Sequence, residues 1–331
     1  MRAIGNTTDK ILSGTGCRRE RGLARRRRRP LRNYADPMTV LVFLDPAQEN
    51  GRVADASVPQ IMATDLGATR GDGIFESLLA LNGEARKVQA HLDRLASSAR
   101  ALDLDLPPED TWRRAIATAL DEYTSRAVVQ ADTELAVKLM VTRGVEGAAS
   151  PTAWVQVAPV PAKTQRQRRD GLAVLLLERG YDSTVAQHAP WLLMGAKTLS
   201  YAVNMAAVRY AHAHGADDVI FTSSDGKVLE GPTSTVLLAR VRDGVKTLLT
   251  PQLESGILPG TSQSALFTVA KAAGWELGYG PLVPADLFDA DGVWLISSIR
   301  LLAPVNSLDG AQIATAAELT GELSELVAKI S

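Results

Sequence analysis

The chain has 331 residues, 46% of them hydrophobic, and a formal charge of −1, an ordinary soluble globular composition with room for two cores of modest size. No apolar run reaches the length of a membrane span, and the longest, such as LAVLLLE at 172–178, are strand-sized. The one cysteine, Cys17, excludes a disulfide framework and points to a reducing, cytoplasmic setting.

Charge is unevenly spread. Residues 1–37 hold ten Arg and one Lys against three acids, a net +8, which leaves −9 on the rest. The block RRERGLARRRRRP has no apolar periodicity and is expected to be a disordered leader. It is a nucleic-acid or membrane tail, a transit peptide, or an upstream extension outside the folded protein with Met38 as the natural start.

From Met38 the predicted order is strand, loop, strand. TVLVFLDP opens the first strand, and DGIFESLLALNGEARKV forms two strands about the turn Leu81-Asn82-Gly83-Glu84. HLDRLASSARALDL is a helix with Leu92, Leu95 and Ala99 inward, followed by a Pro-Pro break. A second helix covers roughly 109–125 with Trp112, Ile116 and Leu120 at helical spacing, and AVKLMVTRG and TAWVQVAPV are strands. These elements make a small α+β domain over 38–160. The polar run 161–171 is the expected interdomain linker, and 172–331 a larger β-rich α+β domain.

The larger unit opens with LAVLLLE. A helix follows in which Leu199, Val203, Ala206, Ala207 and Tyr210 share a stripe that stops at Gly215. Two Asp-Gly turns in DVIFTSSDGKVLEGPTSTVLLARVRDGVKTLLTP predict a hairpin meander. SQSALFTVAKAAG is a helix with Ala265, Leu266, Val269, Ala270 and Ala273 on one face, VWLISSI is a strand, and a helix closes the chain.

One amine stands out. Lys197 lies beside Leu192, Leu193 and Met194, where the helix after it begins. Burial and the positive end of that helix both disfavour an ammonium, which makes the amine nucleophilic near neutral pH. Standing alone, it reads better as a snorkelling surface lysine. Partners decide otherwise: Glu230 in VLEGPTS, the hydroxyls of Thr261 and Ser262 where GILPGTSQ enters a helix, and the adjacent Ser297 and Ser298. A free helix N-terminus with two hydroxyls suits a phosphate, and a lysine, an acid and a phosphate cradle are the parts that pyridoxal phosphate requires.

RGDGIFES, HLDRL, KLMVTRG, AKTLSY, HGADDVIFTSSDGKVLEGPTS, GILPGTSQ and SSIRLLAPV occur in this order between about Asp65 and Gly310. In these motifs the chain resembles the fold-type IV pyridoxal-phosphate enzymes, which include branched-chain aminotransferase, D-amino-acid aminotransferase and aminodeoxychorismate lyase. The resemblance implies a two-domain α+β fold with the cofactor in the cleft, and a homodimer whose partner walls the pocket. It implies that Lys197 forms the imine with pyridoxal 5'-phosphate and later acts as the base. Arg94, Thr261, Ser262, Ser298 and Ser297 would bind the phosphate. Glu230 would pair with the pyridine nitrogen, Tyr201 would lie near the phenolic oxygen, and Leu258 would pack on the ring. No metal is expected.

The reaction is less sharply specified. The TRG strand resembles the lyase and D-amino-acid branches, yet Ala148 and Ser150 stand where the D-amino-acid enzymes carry a carboxylate trap, and the further Arg-Gly that lyases often have in the same loop is absent too. Arg300 is the candidate replacement, or a salt-bridge residue, while Arg143 is structural. Ser77 and Glu76 are expected to face the pocket, with Glu76 alternatively the partner of a nearby arginine. EGPTST places Thr235 where the family usually has Asn, so the turn is expected to persist with altered anchoring. The expected activity is an aminodeoxychorismate lyase acting on a small molecule. The alternative is a D-alanine-type or branched-chain aminotransferase, with both activities chemically accessible. A nucleic-acid or membrane-surface binder is disfavoured, because the rest of the chain is acidic and only 5% of residues are aromatic.

Overall fold

The computed structural model describes residues 38–127 and 132–330, so the expectations for the leader, Cys17 included, lie outside the described residues. The first sheet comprises β1 (Val40–Phe43), β2 (Arg52–Ala54), β3 (Gly73–Leu81), β4 (Glu84–Ala85), β5 (Glu134–Thr142) and β6 (Thr152–Pro159), ordered β2-β1-β6-β5-β3-β4. Asn82 and Gly83 both take positive φ, 54° and 83°, as the two-residue turn between β3 and β4 requires.

One face of this sheet is covered by α2 (Val88–Ala101) and α3 (Glu109–Arg126), which follow the short α1 (Leu66–Arg70). The predicted inward residues Leu92, Leu95, Ala99, Trp112, Ile116 and Leu120 are all buried against Ile74, Leu78, Val137 and Val155. Asp65 caps α1 through Gly67 N–H at 2.8 Å and accepts from the Thr142 and Thr152 hydroxyls at 2.9 and 3.0 Å, fastening the helix to β5 and β6.

The second sheet has β7 (Leu172–Glu178), β8 (Asp218–Thr222), β9 (Thr235–Arg242), β10 (Val245–Pro251), β11 (Glu276–Gly280), β12 (Gly292–Ser297), β13 (Leu301–Leu308) and β14 (Ala311–Gln312). The order is β11-β10-β9-β12-β13-β7-β8, with β14 paired to β13. Its central strands are buried on both faces, which explains their unbroken apolar runs. Leu237, Trp294 and Ile296 face α6 (Thr261–Ala272) and α8 (Ala317–Ala328), while Val236, Leu238, Val293 and Leu295 face a second core reached by α7 (Pro284–Phe288).

Three readings of the sequence are refined or corrected. The run 161–171, expected as a linker, is largely helical, forming α4 (Ala162–Asp170). This helix buries no residue, so it carries no apolar stripe. Arg168 holds it, bonding Glu134 of β5 at 2.6 Å and the carbonyls of Ile299 and Arg300 at 2.6 and 2.7 Å.

Both Asp-Gly turns form, Asp225-Gly226 through the antiparallel Thr222–Val228 bridge and Asp243-Gly244 between β9 and β10, but β8 and β9 are not neighbours, so the two do not join into one meander. β8 pairs in parallel with β7 across α5 (Ala202–Ala213), because a parallel pair needs a crossover. On α5 the buried positions are Ala207 and Ala211, whereas Val203 and Tyr210 are 60% and 50% exposed. Of the predicted stripe only Ala207 is buried, while Val203, Ala206 and Tyr210 face out.

The segment before α5 is pinned to the first sheet. Leu199 N–H donates to Gly73 O at 2.8 Å and Phe75 N–H to Lys197 O at 3.0 Å, so 197–199 runs beside β3. Gly73 makes that approach possible, since a Cβ there would lie 2.3 Å from Val141 O and 2.7 Å from Leu199 Cδ1. Gly73→Ala is expected to cost about 1–3 kcal/mol by overpacking, read as a lowered thermal midpoint of the purified chain.

Candidate active site

Glu76, on β3, has 0% side-chain exposure and is held by two residues one turn apart on α2. His91 Nδ1 lies 2.7 Å from Oε2, and Arg94 donates from Nε and Nη2 at 2.7 and 2.8 Å. Burial alone would raise this carboxyl, but Arg94, with help from His91, holds it down to about 2. Glu76 is thus the arginine's partner, and Ser77, one residue on, points to the other face of the strand. The two do not share one pocket.

Arg94 also donates from Nη1 to Pro259 O at 2.7 Å, and one further turn along α2 the buried Ser98 hydroxyl accepts from Lys197 N–H at 3.0 Å. His91, Arg94 and Ser98 therefore form one polar stripe binding β3, the Gly-Pro-Gly loop and the Lys197 segment. The i, i+3, i+7 spacing is visible in HLDRLASS and is the signal that could have found Ser98.

Of the apolar neighbours expected to desolvate Lys197, Leu192 is exposed and Leu193 and Met194 are half-buried, and two aromatic rings lie close to the amine. Its Nζ sits 4.4 Å from the Phe75 ring centroid and 5.9 Å from that of Tyr201, and these rings meet edge to face at 5.4 Å. Burial, then the positive charge of Arg94, brings the amine down to about 8. The helix dipole expected to contribute is displaced, because α5 starts five residues later at Ala202. Beside this segment an open cleft of about 500 Å³ is lined by Ser97, Met194, Gly195, Ala196, Ile257 and Pro259.

Glu230 sits on the return strand from the Asp225-Gly226 turn, anchored by Phe221 N–H to its carbonyl. Its carboxylate accepts one bond, from Leu258 N–H at 3.1 Å, and burial pushes it up to about 7. Leu258 is only half-buried, and its backbone anchors the acid. The Tyr201 hydroxyl donates to Pro232 O, beside Asn204 Nδ2 at 2.8 Å from the same oxygen. Burial and the nearby Glu230 push the phenol up to about 12, so it stays protonated.

At the start of α6 the hydroxyls of Thr261, Ser262 and Ser298 converge, Ser298 lying 3.3 and 3.1 Å from the other two. His91 Nε2 is 3.1 Å from Ser298 and 3.4 Å from Thr261. The N-cap, Gly260, has no side chain to cover the first N–H groups, and a Cβ there would meet Thr235 Oγ1 at 2.5 Å. Thr235 thus packs under the cradle, while a Gly231–Ser234 pair at 2.8 Å keeps the turn.

Ser297 and Arg300 stand apart from the site, and Arg143 is structural as expected. Ser297 turns its hydroxyl to Arg300 N–H at 3.2 Å, away from the cluster. Arg300 pairs with buried Asp218, Nη1 to Oδ2 2.6 Å, so its charge is already matched. Arg143 binds Asp72 and the carbonyls of Leu102 and Asp103, a structural clamp. Lys87, outside the predicted set, donates to Ser262 Oγ at 2.7 Å.

A desolvated amine, a buried acid with free acceptor capacity and a hydroxyl-lined helix start define an enzyme of carbonyl–amine chemistry. Comparison with known proteins agrees. The family model described as amino-transferase class IV matches residues 73–308, and the chain belongs to that family of pyridoxal-phosphate enzymes. It is 48% identical over 267 residues to a bifunctional aminodeoxychorismate lyase / D-amino acid transaminase of Mycobacterium tuberculosis, covering 80% of this chain and 91% of that protein.

Among solved structures, a PLP-bound hypothetical aminotransferase from Mycobacterium tuberculosis superposes with a TM-score of 0.81 at 44% identity, over 88% of this chain and 97% of that one. A 4-amino-4-deoxychorismate lyase from Pseudomonas aeruginosa gives 0.64 at 27%, over 81% and 94%.

The side chains present fit the cofactor: three hydroxyls for the phosphate, an acceptor for a ring N–H, and a poised amine. The raised Glu230 carries a stability signature. Its folded form keeps a proton that the unfolded chain loses above about pH 4.5, so stability of the cofactor-free protein falls as pH rises from there to about 7. Glu230→Gln is expected to flatten that slope and to exceed the wild type by up to about 3 kcal/mol at pH 8, as denaturant melts across pH will read.

Proposed function

We propose that this protein is a pyridoxal-phosphate-dependent 4-amino-4-deoxychorismate lyase, releasing pyruvate and p-aminobenzoate, with D-amino-acid transamination as a second activity. The observation that carries the cofactor half is Lys197, an amine near its titration point between two aromatic rings. The bifunctional relative at 48% identity supports the choice of reactions.

Bound pyridoxal phosphate supplies an aldehyde that captures amines and a ring that withdraws electrons from the carbon beside them. The residues do the rest. Arg94 lends charge-assisted donors from N–H groups beyond those on Glu76 and Pro259, and the hydroxyls of Thr261, Ser262 and Ser298 supply neutral ones. Glu230 accepts the ring N–H and gains a partner for its buried charge, and Leu258 holds that carboxylate in line. Tyr201 keeps its proton and offers it as a donor. Lys197 Nζ, released when substrate takes its place, can accept a proton at one carbon and return it at another. These steps are common to elimination and transamination, which is why one site can host both.

The missing carboxylate trap at Ala148 and Ser150 favours the lyase over a dedicated D-amino-acid aminotransferase. Because Arg300 is paired with Asp218, any contact it makes with a substrate carboxylate has to compete with that pair. Trp191 at 75% exposure, with Leu192, Val203 and Tyr210, forms apolar surface suited to a homodimer. Among the described residues no helix is long and apolar enough to cross a membrane, and the lone cysteine supports a cytoplasmic site of action.

Purified protein incubated in parallel with aminodeoxychorismate, D-alanine and L-leucine is expected to release p-aminobenzoate fastest. Robust transamination without that product would reverse the order of the two activities. Borohydride reduction of the yellow holoenzyme is expected to leave the cofactor's mass on the peptide containing Lys197, and Lys197→Ala to lower turnover by at least about a thousandfold.

A further inference from the structure

The phosphate cradle has a charge problem. A phosphate monoester carries close to two negative charges at neutral pH. Arg94, the expected counter-ion, already faces Glu76 through two hydrogen bonds, so this pair is neutral overall. His91 donates from Nδ1 to the same carboxylate, and burial favours its uncharged form, leaving Nε2 as an acceptor. Thr261, Ser262 and Ser298 are neutral. A cation is needed from elsewhere.

Lys87 meets the need. Its ammonium donates to Ser262 Oγ at 2.7 Å, a charge-assisted length, and it forms no ion pair among the described residues. The nearby charged groups are Arg86 and Arg94, both positive, and with burial they lower the amine to about 8. Lys87 is also held at φ 55° as the N-cap of α2, a left-handed conformation uncommon outside Gly, Asn and Asp, with no capping hydrogen bond in return.

We propose that Lys87 is a positioning residue for the phosphate end of the site: it supplies the unmatched positive charge and, by donating to Ser262 Oγ, turns the Ser262 O–H toward the anion. The inference rests on the pyridoxal-phosphate reading but concerns a residue outside the predicted set. With Lys87 on one lone pair, the Ser262 proton is free to donate, either to Ser298 Oγ at 3.1 Å or to a phosphate oxygen.

The test uses the full chain freed of cofactor, titrated calorimetrically with pyridoxal 5'-phosphate and, separately, with inorganic phosphate. Lys87→Met and Lys87→Asn both remove the charge, and Asn also tolerates the left-handed backbone. Both are expected to weaken each ligand about tenfold to a hundredfold and to move the 31P resonance of the bound cofactor. Lys87→Arg is expected to recover most of the affinity, and the melting temperature without ligand to change little.

Wild-type affinity in both uncharged variants, or Lys87→Arg binding no better than Lys87→Met, would overturn the proposal. If the wild type binds inorganic phosphate in a Lys87-dependent way but not pyridoxal 5'-phosphate, the anion cradle stands and the cofactor reading fails.

Discussion

A carboxylate with no access to water organises this site. Glu76 could not stay ionised there unaided. The bidentate Arg94 and the imidazole of His91 repay its desolvation, and in doing so they fix α2 on β3 to within hydrogen-bond tolerance. Everything on the polar stripe of α2 inherits that precision. Arg94 carries it to Pro259 and so to the start of α6, His91 to Ser298, and Ser98 to the backbone of Lys197. Breaking the hub would leave a buried charge unpaired and release three segments together.

Burial acts with opposite sign on the groups that surround this hub. It lowers the lysines, Lys197 and Lys87, to about 8, and raises Glu230 to about 7 and Tyr201 to about 12. An amine and an acid that ordinarily titrate far apart are thereby brought to neighbouring values close to neutrality. That is the condition for a residue to take and return a proton within one turnover. Arg94 acts with one sign throughout, its charge lowering both lysines and opposing the rise of Glu230.

The two sheets contribute in different ways. The first offers one face to α2 and α3 and uses β3 as a bench on which 197–199 is laid, an approach that only Gly73 permits. The second is buried on both faces and delivers Glu230, Ser298 and α6 from strand ends and loops. α4 and the Arg168 bonds join the sheets at β5 and at the turn after β12. The apolar surface of Trp191, Val203 and Tyr210 remains on the outside, where a second copy could bury it.

What the chain's order of residues determined is the local and the repeated: the alternation of β3, the stripes of α2 and α3, the Asn82-Gly83 and Asp243-Gly244 turns, and the motifs that mark Lys197, Glu230, Thr261 and Ser262. Each depends on neighbours within a few positions, so its pattern survives in one dimension. The tertiary structure decided the rest. It brought Phe75 and Tyr201 to the amine while leaving Leu192 exposed, and it set the buried face of α5 at Ala207 and Ala211. It docked α4 through bonds from Arg168, matched Arg300 with Asp218, and brought Lys87 within 2.7 Å of a serine 175 positions away. Desolvation and charge pairing are set by whatever atoms fill the surrounding volume, and sequence distance does not report that.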